Sequence, residues 1–546
     1  MNVACALVST QMDEHASGTP GGWLGRITRA IGGAIRAEVV RRVGGPARAR
    51  VITLFALVLA LNGADASTVG AIAPQLESGL HINNTDLGLL SSISLLVGAI
   101  FTIPVGLLVD RTKRMPLLAI SIVLWSLASL FSAFASSFSS LLLTRMALGA
   151  VAASAGPAIS SLTGDYFAAD ERGRVWSYIL VGEATGTAFG FIISGFVASV
   201  IGWRAAFLVL AIPGFVLARE LWITVPEPLR GGQSHLEAGA VDLDAAVTQA
   251  PVGAEHGEPR ERPGEAATTD PQHEAAREAA RRAGAVPNPR LVLNEDPSRL
   301  GLARSVRYIF SIPSNLLLIL GSSLGYFYFA GLQTFALLFV KGHYHASQAT
   351  AELVLALLVV GAVIGTVTGG RLTDRMLERG SLEARVWFPG ACYLGAALLL
   401  LLGLIGSRLN TALWFEVGGA ALISAANPPL QAARLDVVPA GLWGRASSAL
   451  TVVRSLAQAL APLIFGGVSQ LVAGIVPGQA PIGTHPHAPS ASISTGLQVS
   501  FLIMLTALIA AGLLLFRARA TFPSDVATAA ASEPQAMPSA GGGGGG

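Results

Sequence analysis

Charged residues are scarce in this chain: Asp, Glu, Lys and Arg make up 13% of its 546 residues, whereas hydrophobic residues make up 52%. Soluble globular proteins carry about 25% charged residues, so the composition excludes a soluble fold of this length. Cysteine is also rare. The two cysteines, Cys5 and Cys392, exclude a disulfide framework and any cysteine-based zinc or iron–sulfur centre.

Catalytic and nucleotide-binding motifs are missing as well. The sequence contains no Walker loop, no HExxH, no Gly-x-Ser-x-Gly and no haem or metal-ligand spacing, so we expect neither an enzyme nor an ATP-driven pump, and no cofactor or metal. The net charge is only +3, and the basic residues lie between apolar runs. They therefore indicate membrane topology and not nucleic-acid binding.

Long apolar runs dominate the chain instead. A membrane-spanning helix needs about 20 mostly apolar residues, and twelve segments meet that requirement. They lie near residues 50–74, 86–109, 116–135, 138–164, 174–200, 204–224, 314–340, 350–372, 387–406, 411–433, 444–474 and 497–517. The sequence thus predicts an all-α membrane protein with twelve transmembrane helices, spans 1 to 12, in contact with the lipid bilayer.

A long polar segment divides the twelve spans into two groups of six. Residues 226–305 are rich in Pro, Glu, Arg, Ala and Gly, a composition that cannot bury enough apolar surface to fold. The terminal run Gly541–Gly546 resembles an artificial linker and is excluded from the predicted fold. The expected organisation is a tail at 1–47, a six-helix bundle at 48–225, a mostly disordered linker at 226–305 with a helical piece at 272–283, a second bundle at 306–518 and a disordered tail at 519–546.

The distribution of Arg and Lys predicts the orientation. Eleven of these residues lie in loops on one side, namely Arg111, Lys113, Arg114, Arg172, Arg174, Arg371, Arg375, Arg379, Arg385, Arg434 and Arg445, against Arg204, Lys341 and Arg408 on the other. The rich side is expected to be cytoplasmic, together with both termini and the linker. Abundant Ala, Gly and Arg are typical of a high-GC bacterial genome, so we expect the bacterial inner membrane. Trp23–Val43 is either an amphipathic helix on the inner membrane face or a disordered basic tail.

A short pattern occurs at the same place in both halves. After span 2 the chain has Gly106, Asp110 and Arg111, with Arg114 close behind, and after span 8 it has Gly370, Asp374 and Arg375. Glycine permits close helix approach, and Asp can accept bonds from a neighbouring helix and pair with Arg. The repeat predicts duplicated six-helix units joined by a latch between the halves. The alternative is that Asp and Arg only cap the helix and set topology.

Ionisable residues inside spans are costly and are functional candidates for that reason. Asn62 and Asp65 lie in span 1, Arg145 in span 4, Glu183 in span 5 and Arg454 in span 11. No histidine lies in a span, so proton coupling would rest on carboxylates, either Asp65 or Glu183, with Arg145 nearby. The alternative is a fixed ion pair that orients helices 1, 4 and 5. Glu352 and Glu416 lie near span ends, where we expect solvated charges.

Aromatic residues in spans 5 and 7 add a possible apolar surface. Phe189, Tyr326, Phe329 and Phe335 would make a cavity that is polar at one end and apolar at the other, suited to an amphipathic small molecule. Alternatively, each faces lipid or a neighbouring helix. Four glycines of span 5, at 182, 186, 190 and 195, lie on one face and indicate close packing against another helix.

The twelve spans, the central linker and the repeated Gly-x-x-x-Asp-Arg pattern resemble the major facilitator superfamily, in which two six-helix bundles rock about a midplane site. Several segments resemble its Spinster branch: Asn62 and Asp65 fit an Asn-x-x-Asp pattern, and Arg145 fits span 4. The chain departs from that branch in four places. Ala66 replaces Arg, Ala152 replaces Glu, Arg454 replaces His and Gln458 replaces Asp.

This resemblance implies a monomeric transporter that exports or flips lysophospholipids, driven by protons. A multidrug/proton antiporter is a second candidate, although span 5 lacks the Gly-Pro pair typical of many such antiporters, because Glu183 follows Gly182. A receptor that binds its ligand without moving it is a third candidate. The duplicated Asp-Arg pattern argues against a receptor, because a rocking device suits alternating access.

Overall fold

The structure, a computed structural model, describes residues 40–41, 43–167, 172–228, 236, 239–241, 243, 271–295, 297, 300–475 and 491–532. Within these residues, twelve helices are long and apolar enough to cross a membrane, which confirms the predicted all-α, twelve-helix fold. The segment Trp23–Val43, apart from residues 40, 41 and 43, and the run Gly541–Gly546 lie outside the described residues.

The helices fall into two groups of six. The first six are Pro46–Ala71, Asn84–Arg111, Arg114–Ala133, Phe138–Ala152 continued by Ala155–Tyr166, Arg172–Val200 and Trp203–Thr224. The second six are Pro313–His343, Gln348–Glu378, Ala384–Ile405, Leu409–Ala425 continued by Asn427–Asp436, Trp443–Ile475 and Ala491–Ala518. We refer to the end of the bundle where span 1 begins at Pro46 as the terminal end, and to the end where it finishes at Ala71 as the distal end.

Several helix starts at the distal end are fixed by side-chain caps. Asn83 Oδ1 accepts a hydrogen bond from the Asp86 N–H at 2.9 Å, and the Asn83 N–H donates to Asp86 Oδ2 at 3.1 Å. Ser137 makes the same reciprocal box with Ser140. Such caps satisfy backbone N–H groups that have no partner within the helix, so spans 2 and 4 begin where their local sequences specify.

The fourth span of each half is interrupted. Span 4 breaks at Ala153 and Ser154, just before Pro157, and span 10 breaks at Ala426, just before Pro428 and Pro429. Proline has no N–H and its ring disturbs the preceding turn, so it breaks the helical ladder at both places. The matching position of the two breaks is consistent with a duplicated six-helix unit.

An ion pair also recurs at the same position in each half. Arg114, at the start of span 3, pairs with Asp165 at the end of span 4, and Arg385, at the start of span 9, pairs with Asp436 at the end of span 10. Both pairs are 51 residues apart in sequence. Each pair joins two helices of one half at the terminal end, so it stabilises the half as a unit.

Glycine permits two close helix contacts, one in each half. A Cβ on Gly186 of span 5 would overlap the backbone of Ala60 in span 1, and a Cβ on Gly365 of span 8 would overlap the backbone of Ala421 in span 10. Gly182 and Gly190 lie against Ala56 and Ala64 in the same way, which confirms the predicted glycine face of span 5 for these positions. Gly195 instead faces Glu352 of span 8.

The two halves share a hydrophobic core at the distal end. That core contains Leu87 and Phe207 from the first half together with Phe335, Leu337 and Phe465 from the second. Toward the terminal end the first half has a separate core, built around buried side chains such as Phe55 and Ile159. Apolar burial therefore holds the halves together mainly at the distal end.

One helix lies in the described part of the linker and another in the described part of the C-terminal tail. Pro271–Arg282 form a helix, close to the predicted piece, and Phe522–Ala531 form another. Residues between the linker helix and span 7 bind this tail helix, since the Asn288 N–H donates to Thr528 Oγ1 at 2.8 Å and the Leu293 N–H donates to Ser532 Oγ at 3.0 Å. The prediction of a disordered tail is wrong for Phe522–Ala531, because this helix buries Phe522, Val526 and Ala529 together with Asp525 and Thr528.

Candidate functional site

The seam between the two halves is joined at its distal end. Asn84 Nδ2 of span 2 donates to Ser469 Oγ of span 11 at 2.9 Å, and the Leu463 N–H donates to Ser92 Oγ at 3.2 Å. Gly88 lies against the carbonyl of Pro462, so close that a Cβ there would overlap it. Spans 2 and 11 are in direct backbone contact along this stretch.

The residues of the predicted latch lie at the other end of the seam. Arg111, Arg371 and Arg375 are exposed, Asp374 is half-buried, and none of them has an ion pair among the described residues. The side chain of Asp110 and the surroundings of Gly106 lie outside the described part of the structure. The described residues of the Gly-x-x-x-Asp-Arg pattern therefore form no latch across the seam.

Two further latch predictions need correction. Arg114 is buried and binds Asp165, Glu227 at 3.0 Å and Ser161 at 3.0 Å, all on the side of the first half. It therefore does not cross the seam. A Cβ on Gly370 would lie 3.4 Å from Pro428 Cβ, an ordinary van der Waals distance, whereas a Cβ on the preceding Gly369 would overlap Ala425. Close approach of spans 8 and 10 thus depends on Gly369.

Asp65 and Arg145 form a buried ion pair inside the first half, so Asp65 is the partner among the two carboxylates considered for Arg145. Arg145 Nη1 donates to Asp65 Oδ1 at 3.0 Å and to Oδ2 at 3.1 Å, and the two residues are 1% and 5% exposed. The guanidinium lies 4.8 Å from the centre of the Phe207 ring and 3.4 Å from Ser132 Oγ. The pair joins spans 1 and 4 and contacts spans 3 and 6, but it does not contact span 5 through Glu183.

Asn62 lies one turn before Asp65 but faces a different neighbourhood. It lines a small pocket between spans 1, 3 and 4, together with Val58, Trp125, Ser154 and Ala155. Ser154 lies in the break in span 4, and Ala155 begins the helical segment that follows it. Asn62 therefore belongs to the interior of the first half.

Glu183 and Arg454 belong to different halves and interact electrostatically. Glu183 is half-buried on span 5 of the first half, and the positive charge of Arg454, on span 11 of the second half, acts on it. The Arg454 guanidinium lies 4.7 Å from the centre of the Tyr326 ring of span 7, a cation–π distance. This group brings together predicted site residues from both halves.

Arg434 is a functional candidate that the sequence analysis assigned to a loop. It lies in the second segment of span 10, is 4% exposed, and donates from Nη1 to Gln431 Oε1 at 2.9 Å. The charge of Arg454 acts on it, so the two arginines are neighbours. Because Arg434 lies two residues before the end of span 10, the sequence analysis counted it among the loop charges and did not predict that its side chain is buried.

The predicted cavity aromatics do not share one environment. Tyr326 is half-buried beneath Arg454, and Phe329 and Phe189 are 36% and 56% exposed. Phe335 is fully buried in the shared distal core, beside Gly466. The prediction that Phe335 lines a cavity is therefore wrong, because its face of span 7 packs against span 11.

Glu416 is not the solvated charge that its position near a span end suggested. It is 6% exposed, and Tyr344 Oη lies 3.4 Å from Glu416 Oε1 while donating to the Gly403 carbonyl at 2.8 Å. Burial, reinforced by the negative charge of Glu416, raises the pKa of Tyr344, so its hydroxyl remains a donor. Glu416 lies seven residues after the start of its helix in the second half, and Arg145 lies seven residues after the start of its helix in the first half. The two residues therefore occupy corresponding positions in the two halves.

A polar cluster lies at the distal end, between the short helix Ala73–Leu80 and spans 7 and 8. Lys341 Nζ donates to Gln348 Oε1 at 2.9 Å, and Gln348 Nε2 donates to Glu352 Oε1 at 2.9 Å. Glu77, in the short helix of the first half, interacts with Lys341 of the second half. Burial raises the pKa of Glu77 to about 8, although the Lys341 charge opposes that rise.

We expect the contribution of Glu77 to the stability of the protein to fall as the pH rises from about 5 to about 8, because the folded state holds a proton on Glu77 that the unfolded state, with an ordinary pKa of 4.5, releases. Glu77→Gln should flatten this dependence, measured as the thermal unfolding midpoint across the pH range. Glu220→Gln, which alters an exposed pair with Arg219, is the control and should keep the slope. An unchanged slope in Glu77→Gln would contradict the assignment.

Comparisons with known proteins agree with this architecture. The family model described as Major Facilitator Superfamily matches residues 55–462. Protein spinster homolog 1 of Xenopus tropicalis is 34% identical over 185 residues, which are 33% of this chain and 35% of that protein. A probable L-galactonate transporter of Escherichia coli (strain K12) is 27% identical over 192 residues, 35% of this chain and 41% of that protein. The chain thus aligns with less than half the length of these relatives.

A solved structure is similar over most of the chain. It is a bacterial homologue of the human lysosomal transporter Spinster in an inward-facing and unoccupied conformation, with a TM-score of 0.67 and 21% sequence identity. The match covers 88% of this chain and 98% of that one. At this level of identity the similarity concerns the fold.

Proposed function

Because the chain belongs to the Major Facilitator Superfamily and is a multi-pass membrane transporter related to Spinster homologues, we propose that it moves a lysophospholipid or similar amphiphile by alternating access, driven by protons. The observation that carries the proposal is that Glu183, on the first half, lies within reach of the positive charge of Arg454, on the second half. A change of charge on one of these residues would therefore alter the attraction between the halves.

The roles of the two candidate carboxylates follow from their partners. Asp65 is held by Arg145 at 3.0 Å inside one half, so it keeps that half intact and orients span 1 throughout the cycle. Glu183 has no such bond from Arg454 within 4.0 Å among the described residues, although the charge of Arg454 reaches it. We assign proton binding to Glu183 and, with Arg454, contact with the substrate. Proton binding would weaken the attraction of Glu183 for Arg454 and free the arginine for a ligand.

The placement of the protein in the membrane belongs to the same proposal. From the excess of Arg and Lys at the terminal end we infer that this end, the linker and both termini face the cytoplasm, and from the composition that the membrane is a bacterial inner membrane. The seam would then be closed toward the outside, where Asn84 meets Ser469 at 2.9 Å. A monomer suffices for this mechanism, because both halves of the seam belong to one chain.

The proposal is tested with the full chain in proteoliposomes under an imposed pH gradient. Labelled lysophospholipid flux should require the gradient and should be lost in Glu183→Gln, since the variant cannot exchange the proton. Glu278→Gln is the matched control, because Glu278 is an exposed residue of the linker helix, and it should keep full flux.

Three other outcomes would refute parts of the proposal. Flux of cationic dyes without lysophospholipid flux would identify a multidrug/proton antiporter. Binding of lysophospholipid with no flux of either compound would identify a receptor. If gradient-driven flux persists in Glu183→Gln, Glu183 is not the residue that binds the coupled proton. The assignment of the protein as a transporter would still hold.

A further inference from the structure

A small pocket lies inside the first half, where the break in span 4 faces spans 1 and 3. The polar part of its wall comes from Asn62 of span 1, from Ser121 and Trp125 of span 3, and from Ser154 of the break. Apolar side chains such as Val58 complete the lining. The four polar residues lie inside membrane spans, where a polar group without a hydrogen-bond partner is costly.

The indole of Trp125 has a donor that no described protein atom accepts. Trp125 is 5% exposed, and its Nε1–H has no hydrogen-bond partner within the described chain. A Cβ on Gly214 of span 6 would lie 3.1 Å from Trp125 Cζ3, so that edge of the ring packs against span 6. Nε1 is on the opposite edge of the indole and therefore points toward the pocket that Trp125 lines.

The other polar side chains of the pocket can also take further hydrogen bonds. Neither the Asn62 amide nor the Ser121 hydroxyl makes a hydrogen bond to any described residue. Ser154 Oγ donates to the Val151 carbonyl at 3.0 Å, which leaves the oxygen able to accept a bond. The wall thus offers a donor from Trp125 and both donors and acceptors from the amide and hydroxyl groups.

The size and charge of the pocket select its ligand. The space open to the centre of a water molecule is about 30 Å³. One water needs about 10–15 Å³ of such space and two to four polar partners, so the pocket suits about two. The described lining residues include no charged side chain, so an ion would be desolvated there without a counter-charge.

We propose that this pocket is a binding site for about two water molecules, which join spans 1, 3 and 4 through hydrogen bonds. One water accepts from Trp125 Nε1, and the waters complete the hydrogen bonding of Asn62, Ser121 and Ser154. The site is separate from the Asp65–Arg145 pair and does not depend on which substrate the protein transports.

The break in span 4 gives this water a structural role. Pro157 has no N–H, so the carbonyl four residues earlier loses its partner in the helical ladder. A buried ion pair fastens span 4 on each side of the break, since Arg145 binds Asp65 before it and Asp165 binds Arg114 after it. Water bound between these two pairs supplies bonds to spans 1 and 3 at the point where the helix has lost one of its own.

The test detects water beside the indole of Trp125. The full chain, with isotope-labelled tryptophan, is placed in nanodiscs, and magnetisation transfer from water to each indole N–H is measured by NMR. The Trp125 signal is assigned by its loss in Trp125→Phe, and we expect it to receive transfer from water. Trp443, whose Nε1–H donates to the Leu435 and Val438 carbonyls at 3.1 and 2.9 Å, supplies a signal that reports whether each variant keeps its fold.

Two variants locate the water. Ala152→Leu extends an apolar side chain from a lining position, and Asn62→Leu/Ser121→Val removes two polar partners with little change in volume. Each should abolish the transfer to Trp125, because the water loses its space in the first and its partners in the second. Ser160→Leu, at an exposed position of the same span, is the control and should keep the transfer.

Three outcomes would overturn the proposal. If the Trp125 N–H of the parent receives no transfer, the pocket is dry. If transfer persists in Ala152→Leu, water reaches the indole from outside the pocket. If transfer is lost in Ala152→Leu and kept in Asn62→Leu/Ser121→Val, those two side chains do not hold the water. The measurement uses no substrate, so its failure and the failure of lysophospholipid transport are distinguishable.

Discussion

Replacing Arg145 with Gln is expected to destabilise the protein by about 3–5 kcal/mol, since it leaves the carboxylate of Asp65 buried without its cation. Both oxygens of that carboxylate accept from Arg145 Nη1, at 3.0 and 3.1 Å, and the residue is 5% exposed. Water cannot replace the lost partner without opening spans 1 and 4. The loss is measured as the change in unfolding free energy in detergent, from denaturant titration of the parent and the variant.

The double variant Asp65→Asn/Arg145→Gln provides the matched control. It removes both charges, so most of the stability should return, because two neutral amides can hydrogen-bond at the same place. If the double variant is as unstable as Arg145→Gln alone, the penalty comes from packing around Phe207 and not from an unpaired charge.

Replacing Gly466 with Leu is expected to separate the distal seam. A Cβ at this position would overlap the Asn84 carbonyl of span 2 and would lie 3.2 Å from Phe335 Cζ, so neither neighbour can yield easily. Overpacking of this kind costs about 1–3 kcal/mol, and the overlap with Asn84, which lies on the other half, is relieved only when the seam separates. The equilibrium should therefore shift by about 5–150-fold toward separation of spans 2 and 11.

The shift can be measured with a cysteine at Thr334, which is 6% exposed and packs on Gly70 in the closed seam. In a Cys5→Ser background, Thr334→Cys should react faster with a membrane-impermeant thiol reagent when Gly466 is Leu. Gly467→Leu is the control, because nothing lies within 4 Å of a Cβ there, and it should keep the slow rate. Equal rates in both leucine variants would refute the closed contact.

Some of this architecture follows directly from sequence. Twelve apolar segments, each long enough for a membrane, specify the spans because hydrocarbon admits hardly any other backbone structure. The pairing of Asp65 with Arg145 was also predictable, since two costly charges at similar depth stabilise each other. Local sequence therefore determined the elements and one internal contact.

Features that depend on which way a helix faces were not predictable. Phe335 and Tyr326 are both aromatic residues of span 7, yet one is buried in the distal core and the other contacts Arg454. Arg434 resembles a loop charge in sequence because it lies next to the end of its span, although its side chain is buried. A hydropathy pattern records depth in the membrane and carries little information about rotation around the helix axis.

The hydrophobic core that both halves share at the distal end has a thermodynamic consequence for alternating access. A cycle that opens the distal side would bring that apolar surface into contact with water while the terminal ends of the spans come together. The heat capacity of a protein depends on the apolar area in contact with water, so the difference in heat capacity between the two states measures how far burial at one end offsets exposure at the other. Curvature in a van't Hoff plot of the two populations would give that difference.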